Sequence, residues 1–458
     1  MSLTRRQFLK HLSFSLMALP VLGYGRKRVS GRPNIIFIMI DDLGYGDIGC
    51  YGSETNQTPN IDRLAQEGMM LTDYHTNGPM CSPTRAAFLT GKYQHRFGKK
   101  FEGALSGTSD YNDGLPLDAY TIAEALRNAG YATGMYGKWH LGYQPPFLPN
   151  RQGFDEFIGL VAGDGDHHTH IDRWGRKDWW HNARLNMEKG YSEDLITGHS
   201  IEFIEAHRNT PFFLYVSHLS IHFPWQGPDD PPHREAGKVY TDDKWGIIPN
   251  PDDVSPHVQA MIEAVDEGVG RIIETLRHLG LAENTLVIFT SDNGGYRHYG
   301  DTHFNISDNG PLRGQKTEVY EGGHRVPFIA WWPGTIEPGS VSDELVMTMD
   351  MYPTFLELAG SERPSDLQLD GTSIASHLLE RARIPDRAVC WKIGDHRAVR
   401  QGQWKLCLIG DNNPELYNVS DDIGETVNLV GENLELVRRL TAAYTEWENA
   451  VTANYDSE

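Results

Sequence analysis

Cysteine is scarce in this chain, which has only Cys50, Cys81, Cys390 and Cys407 among 458 residues. So few give no disulfide framework, and fewer still if one of them is modified. Stability must come from a buried core, which a chain of this length can supply as one large domain and a smaller one. Basic residues are also short: 41 Lys and Arg against 62 Asp and Glu leave a formal charge of −21. That balance argues against nucleic acid as a partner, since nucleic-acid binding calls for a basic face. An anionic substrate must then be drawn by a local cationic pocket or a metal rather than by the overall field. Internal repeats, low-complexity tracts and an apolar run able to span a bilayer stably are missing as well.

The N-terminus carries an unusual concentration of positive charge. Residues 1–31 hold six Lys or Arg and no acid. Arg5-Arg6-Gln7-Phe8-Leu9-Lys10, followed by a short apolar stretch from Leu12 to Gly23, reads as a twin-arginine export signal. The twin-arginine export machinery is therefore an expected partner, and the expected location is periplasmic or secreted. A membrane anchor is the weaker reading, because the apolar stretch is short and the basic Arg26-Lys27-Arg28 follows it. No clean Ala-x-Ala site marks a cleavage point before Arg32.

From residue 32 the pattern becomes that of a layered α/β protein. Asn34–Ile40 is a continuous apolar run, suited to a strand buried on both faces of a parallel sheet. Similar strands are expected at 131–136, 211–217 and 285–290. Helical periodicity covers 121–128 and, strongly, 257–279. This alternation predicts an α/β fold with a large, mainly parallel sheet flanked by helices over residues 32–368. Residues 228–256, rich in Pro and Asp, read as a surface excursion over the site. Short strands at 388–391, 398–400 and 404–408, then a helix near 434–449, predict a smaller C-terminal α+β domain over 369–458.

Polar residues gather just after the predicted strands, where open α/β sheets place their binding crevice. Asp41-Asp42 follows one strand and Asp292-Asn293 another, giving four hard oxygen donors suited to Ca²⁺, with Mg²⁺ as the alternative, rather than zinc. The plainer reading of each pair is a turn or a cap. Lys138 and His140 follow a third strand, His218 and His222 a fourth, and Lys316 stands in Arg313-Gly314-Gln315-Lys316. Cys81-Ser82-Pro83-Thr84-Arg85 puts a small reactive side chain at a helix entrance with a guanidinium one turn along. A buried structural cysteine is the plainer reading of that run.

These segments together resemble the type I sulfatases of the alkaline-phosphatase-like superfamily. The resemblance is carried by residues 33–46, Thr58 to Asp62, Cys81 to Gly91, Gly137 to Gly142, Ser291 to Gly294 and Tyr320 to Gly323. Further on, 325–327, 332–334 and 415–429 also fit. The resemblance implies that Cys81 is oxidised to formylglycine, so that a formylglycine-generating maturation enzyme is a partner. It implies that Asp41, Asp42, Asp292 and Asn293, with residue 81, hold the metal. In the family's chemistry one hydroxyl of the hydrated aldehyde attacks sulfur, and the second later expels sulfate. Arg85 would stabilise the nucleophile, Lys138 and Lys316 would bind sulfate oxygens, and His140 would assist release of sulfate. His222, shortly before a proline, is preferred over His218 as the acid for the leaving sugar oxygen.

For substrate binding, the segment Gly163 to His170 with Trp174, Trp179 and Trp180 is the candidate, so His168 and His170, with His218 nearby, are expected to read sugar hydroxyls. The implied function is hydrolysis of sulfate esters on a sulfated oligosaccharide or polysaccharide. Two alternatives stand beside it. One is a phosphate or phosphonate ester hydrolase of the same superfamily; the other is a catalytically silent carbohydrate-binding relative.

Overall fold

The computed structural model describes residues 31–240, 253–300 and 303–455. The export-signal reading therefore lies, apart from Gly31, outside the described residues. So does part of the expected surface excursion. A ten-stranded sheet organises the molecule. Its centre is the strand Asn34–Ile40, flanked on both sides by parallel neighbours, Phe212–Ser217 and Thr285–Ser291. The strand Ala132–Gly137 lies parallel to Phe212–Ser217 on the far side. Phe328–Trp331 runs antiparallel to Thr285–Ser291, so the sheet is mixed towards its edges.

The apolar run at Asn34–Ile40 explains its central place. Ile35, Phe37 and Met39 pack into one core, while Ile36, Ile38 and Ile40 pack into a second on the opposite face. Side chains alternate across a strand, so one that is apolar from Ile35 to Ile40 needs cover on both sides. Helices Cys81–Thr90, Ile122–Asn128 and Met351–Leu358 cover the first face. Helices Pro59–Glu67, Ser192–Ala206 and Ser255–His278 cover the second. Thr121 caps its helix in a reciprocal box with Glu124, which ends the preceding loop.

Register places the strand ends together. Gly137 and Met39 both pair with Ser217, and Ile40 pairs with Ser291. Four parallel strands, each about 4.8 Å from the next, thus finish along one edge. Residues Lys138, His218, Asp41 and Asp292 emerge there in a row. Gly137 is needed at its turn: its φ is 110°, and a Cβ would lie 1.9 Å from the Ser217 carbonyl oxygen.

The C-terminal part is an antiparallel sheet of Ala388–Ile393, His396–Gln401, Trp404–Ile409 and Glu415–Asn418, backed by the helix Leu434–Val451. Ile374 and Leu378, which the sequence reading assigned to this domain, pack into the main core. The small sheet is joined to the rest through buried charge. Lys405 pairs with Glu321 at 2.9 Å and Glu425 at 3.0 Å, and Arg400 holds Asp73. Among the described residues, no helix is long and apolar enough to cross a membrane.

His95 lies at this junction, close to the Lys392 carbonyl at 3.2 Å and edge-on to Trp447. Burial, opposed weakly by its surroundings, pushes its pKa down to about 4. An unfolded histidine titrates near 6.5, so on acidification the proton is taken up by the unfolded chain first. The stability present above that value is lost as pH falls towards about 4. The expected loss from His95 alone is about 3 kcal/mol. Urea unfolding at several pH values checks it: the His95→Gln protein should show a correspondingly shallower loss of stability across that window.

Candidate active site

Cys81 begins its helix, 1% exposed, and its sulfur lies 3.2 Å from His140 Nδ1. His140 Nε2 lies 2.8 Å from the Leu105 carbonyl oxygen, which can only accept. The proton of the neutral ring is therefore on Nε2, and Nδ1 accepts from the thiol. Burial first, and then Lys138, hold the His140 pKa well below its ordinary value, keeping the ring neutral. A base nitrogen thus faces position 81.

Arg85, one turn on, is fully buried beneath the strand ends. Its Nε and Nη2 donate to Asp292 Oδ2 at 3.0 and 2.7 Å, and Nη1 donates to the Lys138 carbonyl at 2.8 Å. Two more buried pairs complete the row: Lys138 with Asp41, and Lys316 with Asp42 at 2.5 Å. Burial and then the nearby Asp292 raise Asp41 well above the usual carboxylate range. For Asp292, burial also acts upwards, but Arg85, Lys138 and Lys316 outweigh it and hold the carboxyl low.

The donor set fits a hard divalent cation. Asn293 Nδ2 donates to Asp42 Oδ1 at 2.8 Å, which leaves Asn293 Oδ1 buried without a hydrogen-bond partner. Asp41 Oδ1 is likewise buried and unpartnered. Ligand atoms of Asp41, Cys81 and Asp292 lie within 4.8 Å of one another, as do those of Asp41, Asp42 and His222. Oxygen donors left without partners in so buried a place are what a Ca²⁺ or Mg²⁺ ion would satisfy. Local backbone strain gathers here too: Asp42, His140 and Thr317 are non-glycine residues with φ of 67°, 55° and 78°.

A cavity of about 270 Å³ opens onto these groups. Cys81, His140, His222 and Lys316 line it. His222 Nδ1 lies 3.0 Å from the Phe223 carbonyl, which fixes the proton of the neutral ring there and leaves Nε2 as the site for a second proton. Nε2 is 3.9 Å from Asp42 Oδ2. Burial, then Lys138 and Lys316, push the His222 pKa well below its usual value.

The expected sugar-reading histidines are placed elsewhere. His218 is buried behind the site with Nδ1 on Glu193. His168 lies against the Gly227 carbonyl at 3.2 Å, and His170 stacks on Trp179 with centroids 4.2 Å apart. None of the three lines the cavity, nor do Trp179 and Trp180. Trp174 does, as does Asp164 of the segment singled out in the sequence, together with Asp172, Arg173 and Arg176, which the sequence did not single out. Arg173 pairs with Asp164 at 2.9 Å and Arg176 with Asp172 at 2.6 Å. The signal was present in Asp172-Arg173-Trp174-Gly175-Arg176, where charges of both signs flank a tryptophan in a loop.

The Sulfatase family profile matches residues 33–361, and a second profile, N-sulphoglucosamine sulphohydrolase, C-terminal, matches residues 315–448. N-acetylgalactosamine-6-sulfatase of Mus musculus is 33% identical over 411 residues, covering 86% of this chain and 75% of that protein. Arylsulfatase A of Homo sapiens is 32% identical, covering 93% of this chain and 90% of its own length. The crystal structure of Ps i-CgsB in complex with k-i-k-neocarrahexaose superposes with a TM-score of 0.78 at 31% identity, covering 91% of this chain and 92% of that one. The chain belongs to the sulfatase family and is a sulfuric ester hydrolase.

Removing Arg85 without replacing its charge strands Asp292 in the interior. Arg85→Met is expected to lower the unfolding free energy by about 3–5 kcal/mol. Urea denaturation measures this directly. A change below about 1 kcal/mol would show that the pair is far better solvated than its burial indicates.

Proposed function

We propose that the protein removes sulfate from a sulfated oligosaccharide, with residue 81 acting as formylglycine and Ca²⁺ bound by Asp41, Asp42, Asp292 and Asn293. The observation that carries this reading is the convergence of four oxygen ligands, three buried cations and the Cys81–His140 pair at one end of a cavity. The relatives named for N-acetylgalactosamine 6-sulfate and crystallised with k-i-k-neocarrahexaose support a carbohydrate substrate.

Formylglycine would supply a hydrated-aldehyde nucleophile, and the cation would supply Lewis-acid charge for a sulfate oxygen. The rest is work for this chain's own side chains. Lys316 brings an ammonium to the cavity, and Lys138 brings another behind it, to counter the negative charge of the sulfate. Arg85, fixed by Asp292 and two backbone or hydroxyl acceptors, holds positive charge beneath position 81. His140 offers Nδ1 as the base facing residue 81. His222 delivers a proton from Nε2 to the departing sugar oxygen, and the anionic ester opposes the two lysines that keep the free ring neutral. Arg173, Arg176 and Trp174 supply charge and an aromatic face for the sugar. Export through the twin-arginine route, supported by Arg5-Arg6, would deliver the enzyme to the periplasm or beyond.

Four measurements test this reading. Coexpressed with a maturation enzyme, the peptide containing Cys81 should show aldehyde in place of thiol by mass spectrometry; an intact thiol with no turnover favours the silent relative. Matched sulfate and phosphate esters should be cleaved with clear preference for sulfate, and the opposite preference favours the phosphoesterase. Chelation should abolish turnover, and Ca²⁺ or Mg²⁺ should restore it. His222→Ala should cost roughly 10²–10⁴ in kcat for a sugar sulfate. An activated aryl sulfate, whose leaving group needs little protonation, should lose much less.

A further inference from the structure

A second cluster of ligating side chains lies on the sheet edge, apart from the catalytic groups. His181 ends the short strand Trp180–His181, Glu188 sits in the loop after the strand Arg184–Leu185, and His199 stands in the helix Ser192–Ala206. Both imidazoles direct Nε2 at the same carboxylate. His181 Nε2 is 3.3 Å and His199 Nε2 3.0 Å from Glu188 Oε2, and the Trp179 indole donates to that oxygen at 3.2 Å. One ligand atom from each of the three residues lies within 4.8 Å of the others. The group is part-exposed, with His181 34%, Glu188 30% and His199 15% open to solvent, so an ion can enter.

His199 is held between two carboxylates. Its Nδ1 lies 3.0 Å from Glu202 Oε2, and a neutral ring has one proton to share between that carboxylate and Glu188; a ring that ligates a metal through Nε2 gives it to Glu202 from Nδ1. The bare lone pair of Nε2 then confronts the Glu188 oxygens at 3.2 and 3.0 Å, another set of acceptors. Two acceptors at that separation need a positive centre between them, either a second ring proton or a metal ion. The distances also match the edge of a small coordination tetrahedron. Ligands about 2.1 Å from a zinc ion are separated by about 3.4 Å. A carboxylate backing the remote nitrogen of a ligating histidine is the usual way such a ring is oriented.

We propose that His181, Glu188 and His199 form a binding site for a Zn²⁺-class transition-metal ion, with Glu202 orienting His199 and solvent filling the remaining position. Two imidazoles and one carboxylate favour such an ion over Ca²⁺, so this site and the all-oxygen catalytic site select different metals. The ion ties the hairpin at 180–185 to the helix Ser192–Ala206. Immediately upstream of that hairpin runs the loop that brings Asp164, Asp172, Arg173 and Trp174 to the cavity. The site is therefore an anchor for the substrate-facing loop, and it stands independently of the reaction proposed above.

Calorimetric titration of the 458-residue chain with ZnCl₂ at neutral pH, in saturating Ca²⁺ to fill the oxygen site, tests the proposal. The expected result is one zinc per chain, with Co²⁺ giving the intense visible absorption of tetrahedral coordination. His181→Asn and His199→Ala should each remove that uptake while Ca²⁺ binding persists, and Glu202→Gln should weaken zinc roughly 10–100-fold. His181→Asn lies on the hairpin and leaves the core untouched, and circular dichroism verifies that each variant is folded. No saturable zinc binding in the parent chain, or binding of unchanged affinity in folded His181→Asn, overturns the proposal.

Discussion

Three carboxylates lie together out of water at the end of a parallel sheet, and everything around them answers that cost. Asp41, Asp42 and Asp292 are each matched by a buried cation, Lys138, Lys316 and Arg85. A buried charge that loses its partner is strongly destabilising, so these residues must be arranged as a set. The strands Ala132–Gly137, Phe212–Ser217, Asn34–Ile40 and Thr285–Ser291 provide the arrangement by ending in register. Because the three pairs cancel, a divalent cation would leave the site with surplus positive charge. Only an anionic ligand offsets that surplus, which reconciles a protein of net charge −21 with an anionic substrate.

Much of this was legible before any coordinates. Apolar runs followed by acids, lysines or histidines revealed the parallel strands, because a strand covered on both faces is mostly apolar until it ends. Asp41, Asp42, Asp292 and Asn293, with Cys81, Arg85, Lys138, His140, Lys316 and His222, all lie next to such ends or in short motifs, and the structure gathers them at one place. The preference for His222 over His218 rested on the following proline. In the structure His222 lines the cavity while His218 lies on Glu193.

What the sequence did not reveal depends on how a loop folds over itself. His168 and His170 looked suited to a sugar because polar residues and tryptophans surround them. Asp166 instead accepts backbone N–H groups from His168, Thr169, His233 and Arg234, so that turn is spent on local structure. The cavity receives the next turn, with Asp172, Arg173, Trp174 and Arg176. Periodicity carries no information about which of two adjacent turns faces inward. The lysines show a related gap: their attraction to anions is visible in sequence, but their pairing with Asp41 and Asp42 is a matter of register.

The near-complete enclosure of Cys81 has a consequence for the order of events in the protein's life. Its wall is assembled from parts of the chain made much later, His140, His222 and Lys316 among them, and its own side chain is 1% exposed. An enzyme that acts on this thiol would have to reach a side chain that the folded wall encloses. That access exists while the chain is growing and closes once the sheet has formed. Chemistry at position 81 therefore has a deadline set by folding. On the proposed conversion of Cys81, a molecule that folds first would keep its thiol.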